Sequence, residues 1–125
     1  MEEIPVLKLG PLLMVSLQTE LNDRTAQDLQ SSILDKIERY KVYGLLIDIS
    51  ALEMLDSYIG RVLSETAAMA NLMDTRVVLV GMRPEVTLTL LEMGLTIPNI
   101  RTAMDVEAGL WQLGYRLVKT DVDDD

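Results

Sequence analysis

The residues best suited to chemistry lie in one short stretch, from Gly44 to Arg61. An apolar strand pattern there runs into a loop and then into Asp56-Ser57, at the predicted start of a helix. The first N–H groups of a helix lack intrahelical acceptors and carry the positive end of the helix dipole. A phosphoryl group on Ser57 would therefore meet donors already directed at it. The pattern predicts a helix cap, a phosphate acceptor, or both, since the two roles are compatible.

The neighbours of Ser57 favour the phosphate acceptor. Tyr58 stands beside the serine, Gly60 has no side chain to obstruct an approaching group, and Arg61 is near enough to pair with a phosphate. Tyr58 fits equally well on an exposed surface and in a partly buried helix position, because it joins an apolar ring to a polar hydroxyl.

Asp48 is the rival acceptor, because it ends the predicted central strand, where the receiver domains of response regulators carry a phosphorylated aspartate. Receivers also need paired acids after the first strand to hold Mg²⁺. The equivalent turn here is Gln18-Thr19-Glu20, which is poor in carboxylates. We therefore interpret Asp48 as a structural residue that caps the loop.

The composition excludes most catalytic sites. The chain has no cysteine and no histidine, which removes disulfides, thiolate nucleophiles, the usual zinc ligands and any imidazole base. No glycines are spaced as G-x-G-x-x-G, and no pair of glycines belongs to a G-x-x-x-x-G-K phosphate-binding loop. We predict a protein that is not an enzyme, with no catalytic residues, no cofactor and no metal. Any phosphate chemistry at Ser57 needs an ATP site on another protein.

Length and charge set the class of protein. The 125 residues, 14.0 kDa in mass, fit one domain. A net charge of −9 argues against nucleic-acid binding and favours basic partners. No signal peptide or membrane span is evident, so we expect a cytoplasmic protein that binds neither nucleic acid nor membrane. Residues 1–118 are predicted to form the domain and 119–125 an acidic, flexible C-terminal tail.

Hydrophobic periodicity and turn residues predict alternating strands and helices after an opening hairpin. Continuous apolar character marks the third strand as central and covered on both faces. We expect an α/β fold with a mixed sheet of four to five strands and about four helices packed on it. The predicted strands are Ile4–Leu9, Leu12–Leu17, Val42–Ile49, Arg76–Val80 and Ile97–Thr102, and the helices are 23–40, one from Ser57, one from Pro84 to near Gly94, and one capped by Asp105 that runs to Leu113.

Three large side chains are predicted to pack in the core. Met69 and Met73 fall on the apolar stripe of the second helix, and Trp111 lies in the last helix beside two leucines. For Trp111 a contribution to a subunit interface remains a second possibility.

Several segments together resemble the STAS domain family, the fold of anti-sigma-factor antagonists. Within that family the likeness is greatest to the small scaffold subunits of the stressosome. It extends over almost the whole chain. The segments that carry it are Ile4-Pro-Val-Leu-Lys-Leu9, Ile47-Asp-Ile-Ser50, Met54-Leu-Asp-Ser-Tyr-Ile59, Arg61-Val-Leu63, Val77-Val-Leu-Val-Gly-Met-Arg-Pro-Glu-Val86 and Thr87-Leu-Thr-Leu-Leu-Glu-Met-Gly-Leu95.

The resemblance implies a non-catalytic scaffold and negative regulator of stress signalling. Such scaffolds co-assemble with an RsbR-like STAS paralogue into a large pseudo-icosahedral complex that holds an RsbT-type serine kinase. The kinase phosphorylates the serine that matches Ser57 and is released to activate a downstream module, and an RsbX-type phosphatase resets the site. Asp56, Tyr58, Gly60 and Arg61 would then form the kinase-facing switch surface. Some relatives have a threonine where this chain has Val80, so a second phosphosite there is excluded.

Two other functions stay open. One is a soluble anti-sigma-factor antagonist that binds an anti-sigma kinase, and the other is a nucleotide-binding STAS domain. A homodimer is also possible. The direction of the switch follows from the resemblance, because added charge repels an acidic partner but attracts an arginine-rich one.

Overall fold

The computed structural model describes residues 4–18, 21–92 and 100–120. Within these ranges an opening hairpin is followed by alternating helices and strands, as the sequence predicts. The predicted helix end near Gly94, residues 97–99 of the predicted edge strand, and residues 121–125 of the predicted tail lie outside the described residues. The strands are β1 (Val6–Leu9), β2 (Leu12–Ser16), β3 (Gly44–Asp48), β4 (Arg76–Val80) and β5 (Ile100–Ala103), and the helices are α1 (Asp23–Tyr40), α2 (Ser57–Leu72), α3 (Pro84–Glu92) and α4 (Val106–Gln112).

The five strands form one mixed sheet in the order β1-β2-β3-β4-β5. Only β1 and β2 pair antiparallel, and the other three pairs are parallel. Strand β3 is central, as predicted, and its first four residues are buried. The register places Ser16, Asp48 and Val80 side by side at the carboxyl ends of three parallel strands. The loop that leads to Ser57 starts at this edge, called here the switch edge.

The two faces of the sheet are covered unequally. Helices α1, α2 and α3 share a large apolar core with one face, whereas α4 is the one described helix that packs on the other. Gly109 permits the close approach of α4, since a Cβ there would lie 2.7 Å from Leu46 and 3.0 Å from Val80. Most of the buried apolar side chains lie on the side of the sheet that carries α1 and α2. Full burial of one valine, leucine or isoleucine side chain stabilises a fold by about 1.5–3 kcal/mol.

The predicted core positions of Met69, Met73 and Trp111 are wrong. Both methionines are 39% exposed, and Trp111 is 68% exposed. Helix α2 packs through a narrower stripe than its apolar pattern indicates, with small residues such as Ala67 and Ala70 against the sheet. In α4 the inward residues are Gly109 and Leu110, so the following residue, about 100° further around the helix, points outward.

The α1–α2 contact contains buried polar groups that are hydrogen-bonded. The Gln30 side-chain amide donates to the Thr66 hydroxyl over 3.0 Å, and that hydroxyl donates to the carbonyl of Val62 over 2.7 Å. These bonds satisfy Thr66, which is 1% exposed, and set the register between the two helices. No helix in the described part of the chain is both long and apolar enough to cross a membrane.

Candidate functional site

The loop between β3 and α2 is anchored at the switch edge by backbone and side-chain contacts. The N–H of Ile49 donates to the carbonyl of Val80 over 2.9 Å, which extends the β3–β4 pairing by one step. Leu52 and Leu55 are buried in the main core. The Asp48 carboxylate accepts a 2.9 Å bond from the N–H of Ser50, the loop-capping role predicted for it. These contacts therefore fix the position at which the next helix begins.

A second set of contacts holds the loop from the side of β4. The guanidinium Nε of Arg83 donates to the carbonyl of Ser50 over 2.9 Å. Gly81 has a φ of +78°, and a Cβ at this position would lie only 2.7 Å from the Cβ of Ser50. The close passage of the two segments therefore requires a glycine.

The mouth of α2 is built around Asp56, which is its N-cap. The Asp56 side chain accepts a 2.8 Å bond from the N–H of Ile59, and its carbonyl accepts the first helical bond, from Gly60, over 3.0 Å. Ser57 is then the first helical residue, as predicted, and its side chain is exposed. The geometry presents one hydroxyl at the positive end of a 16-residue helix.

The predicted switch residues do not all reach the surface. Asp56, Ser57 and Arg61 are exposed, and Arg61 follows Ser57 by four residues, so both lie on one side of α2. Tyr58 is half-buried, and its hydroxyl accepts a 2.7 Å bond from the Gln27 side chain on α1. Gly60 is buried. The structure thus places the charged side chains of Asp56 and Arg61 on the exposed side of α2 with Ser57. Tyr58 instead joins α2 to α1.

Three residues near the serine were not assigned to the site from the sequence, and the structure shows their positions and contacts. Met54 is 68% exposed at the loop tip, between the buried Leu52 and Leu55. Arg83 bonds the loop, and Gln27 bonds Tyr58 across 31 positions of sequence. No sequence pattern singles out Met54 as exposed, and the contacts of Arg83 and Gln27 depend on tertiary packing.

The Asp56 N-cap leads to a prediction about the stability of the fold. An Asp56→Ala substitution is expected to lower the free energy of unfolding by about 1 kcal/mol, because the N–H of Ile59 loses its acceptor. Asp56→Asn is the matched control and is expected to retain most of that stability, since an amide oxygen also caps. Urea denaturation measures both variants, and an equal loss for alanine and asparagine would contradict the capping role.

Two concave features of the described residues lie away from Ser57. Two cavities, of about 400 and 430 Å³, share Asn71 and Arg76 at the edge opposite Ser57. Among residues 4–18, 21–92 and 100–120, no three acidic side chains converge as a metal site would require.

Comparison with known proteins decides the family. The sequence profile described as STAS domain matches residues 3–108. The chain belongs to the STAS domain family. Among solved structures, this STAS domain resembles an RsbS from Moorella thermoacetica that carries a serine-to-glutamate substitution, with 35% identity, a TM-score of 0.80, and coverage of 90% of this chain and 96% of that one.

This STAS domain is also similar to two further proteins. It resembles a chain from a structure described as the molecular architecture of the stressosome, a signal integration and transduction hub, with 35% identity, a TM-score of 0.73, and coverage of 88% and 96%. It is also 22% identical over 98 residues to the RsbT co-antagonist protein RsbRD of Bacillus subtilis, which covers 78% of this chain. The chain spans about a third, 35%, of the length of that curated relative. The resemblance to stressosome scaffolds of the RsbS type, predicted from sequence motifs, is confirmed.

Proposed function

We propose that this STAS domain is a non-catalytic stressosome scaffold that sequesters an RsbT-type serine kinase and is phosphorylated by it on Ser57. The observation that carries the proposal is the exposed Ser57 hydroxyl at the start of α2, delivered by an anchored loop. The 35% identity to RsbS over 90% of the chain supports the scaffold role. Phosphorylation releases the kinase, which activates a downstream module, and the protein acts as a negative regulator in the cytoplasm.

The chemistry of the switch is a local change of charge. A phosphoryl group adds about −1.5 to −2 charges at neutral pH. On Ser57 it would stand beside the Asp56 carboxylate, which already accepts from the N–H of Ile59. Arg61, four residues along the same side of the helix, is the nearest cation in sequence and offsets only part of this charge. A kinase surface that fits a neutral hydroxyl next to one carboxylate loses that fit after phosphorylation.

Partners follow from the same proposal. An RsbR-like STAS paralogue co-assembles with this chain, and the likeness to RsbRD and to the stressosome structure supports that class of partner. An RsbX-type phosphatase resets Ser57. The kinase contacts the switch surface through Asp56, Tyr58 and Arg61, with the exposed Met54 as an apolar contact at the loop tip.

Phosphorylation by the cognate kinase tests the proposal. Incubation with an RsbT-type kinase and ATP, followed by mass spectrometry, is expected to give one phosphoryl group on Ser57 and none on a Ser57→Ala variant. Ser50→Ala is the matched control, because Ser50 is also exposed and lies on the same loop. That control keeps its backbone bond to Asp48 and is expected to react like the wild type.

The size of the assembly provides a separate check. A large co-complex with the paralogue, measured by light scattering, is the expected result. A small, stable complex with an anti-sigma kinase would instead favour the soluble antagonist, and unchanged phosphorylation of Ser57→Ala would remove this serine from the mechanism.

A further inference from the structure

Two arginines line one cavity at the amino ends of β4 and β5, opposite the switch edge. The cavity has a volume of about 400 Å³ and is lined by Asn71, Arg76, Val77, Ile100 and Arg101. We call these five residues the arginine cleft. Their side chains include two cations and no carboxylate, in a chain whose net charge is −9. The volume lies within the range of sites for small molecules.

The strand register explains why the two guanidinium groups share this cleft. Arg76 begins β4, and Val78, two residues later, points to the same face of the sheet. Val78 pairs with Arg101 on the parallel strand β5. Arg76 and Arg101 therefore extend from neighbouring strands on one face, one diagonal step apart.

The backbone that carries Arg76 is held on both sides. Its N–H donates to the carbonyl of Tyr43 over 2.8 Å. The preceding residue, Thr75, is 1% exposed, and its hydroxyl donates to the carbonyl of Val42 over 2.9 Å. The N–H of Thr75 donates to the carbonyl of Ala70, also over 2.9 Å. An anion would meet a cation on an ordered backbone, which lowers the entropic cost of binding.

Neither guanidinium has an acidic partner within residues 4–18, 21–92 and 100–120. The ion pair found in these ranges joins Arg39 to Asp35 on α1. Asp74 lines a neighbouring cavity together with Arg76, but its carboxylate is not within 4 Å of that guanidinium. Each arginine side chain has five N–H donors in a planar fork. The donors of both forks can therefore reach an anion from solution.

The lining of the cleft favours a phosphate group. Guanidinium groups bind phosphate through paired hydrogen bonds, and a phosphate monoester offers three oxygens and about −1.5 to −2 charges at neutral pH. Two arginines match that charge better than they match a single carboxylate. Buried Val77 and half-buried Ile100 add an apolar wall that suits a short carbon skeleton.

We propose that the arginine cleft binds a phosphate group, free or as the monoester of a small molecule, between Arg76 and Arg101. The carbon skeleton of an ester packs against Val77 and Ile100. The cleft is at the end of the sheet away from Ser57, so this binding is separate from phosphorylation of the switch.

Calorimetric titration of the full chain at constant ionic strength tests the cleft, with inorganic phosphate and glycerol phosphate as probes. Arg76→Gln and Arg101→Gln are each expected to weaken phosphate binding at least about tenfold, because each removes charged hydrogen bonds. Arg39→Gln is the matched control, since it removes the same charge from α1, and it is expected to bind like the wild type. Equal urea denaturation midpoints verify that all three variants are folded.

The two probes distinguish the sources of the phosphate group. Tighter binding of glycerol phosphate assigns the cleft to a monoester, and equal or weaker binding assigns it to free phosphate. No binding of either probe, equal losses in all three variants, or succinate bound as tightly as phosphate would overturn the proposal. A loss caused by Arg61→Gln, and not by the cleft variants, would place phosphate at the start of α2 and also overturn it.

A kinase assay separates this inference from the proposed function. Arg76→Gln is expected to be phosphorylated on Ser57 as fast as the wild type. Absence of Ser57 phosphorylation in the wild type would refute the switch and leave the phosphate titrations unaffected.

Discussion

A Ser57→Glu substitution is expected to weaken binding of the RsbT-type kinase at least about tenfold, which corresponds to about 1.4 kcal/mol. The glutamate places a second carboxylate beside Asp56 at an exposed helix start. If the kinase contacts the start of α2, the added carboxylate must lose its hydration or be repelled by the kinase when the complex forms. Calorimetric titration of the kinase with each form of the scaffold measures the effect.

Ser57→Gln separates charge from size. Glutamine has nearly the shape of glutamate but no charge, so this variant is expected to bind the kinase within about threefold of a Ser57→Ala variant, a difference of under 1 kcal/mol. Equal weakening by glutamine and glutamate would mean that bulk at the helix start, and not charge, releases the kinase. Tighter binding of Ser57→Glu would reverse the direction of the switch.

A Gly81→Ala substitution is expected to lower the free energy of unfolding by about 2–5 kcal/mol. Two costs combine at this position. A φ of +78° is unfavourable for any side chain, and the new Cβ would lie 2.7 Å from the Cβ of Ser50 and 3.2 Å from the Asp48 carboxylate. Urea denaturation at neutral pH measures the loss.

Gly10→Ala isolates the backbone cost. Gly10 has a φ of +58°, but a Cβ there meets nothing within 4 Å. This control is expected to lose only about 1–2 kcal/mol. If both alanines cost the same, the contact between Gly81 and Ser50 contributes nothing. If the contact matters, Gly81→Ala should also slow phosphorylation of Ser57, because the displaced loop leads directly into α2.

Helices α2 and α4 lie on opposite faces of one sheet. The switch edge and α2 present Ser57, whereas α4 packs on the other face. Strand β3 is buried along its first four residues and lies between the two faces. The sheet therefore separates a change of charge at Ser57 from the face that carries α4.

Local sequence patterns were sufficient to predict the helix starts, the central strand and the position of Ser57. The apolar run at β3, the Gly10-Pro11 turn, and the capping residues Asp56 and Asp105 act over a few positions of sequence, so the helix starts and the central strand could be predicted. The absence of histidine and cysteine likewise excluded imidazole bases and thiolate nucleophiles without any knowledge of the fold. Ser57 at the mouth of α2 follows from these short-range preferences.

Tertiary packing decided which side chains face solvent. Met69, Met73 and Trp111 lie on or beside apolar stripes, yet the helices meet the sheet through smaller neighbours such as Ala67, Ala70 and Gly109. Periodicity marks which flank of a helix is apolar, but only the approach of a second element determines how much of that flank is covered. The bonds of Tyr58 to Gln27 and of Arg83 to Ser50 likewise join segments about 30 residues apart. The sequence by itself determined the position of Ser57 at the start of a helix, and the tertiary structure decided which residues surround it.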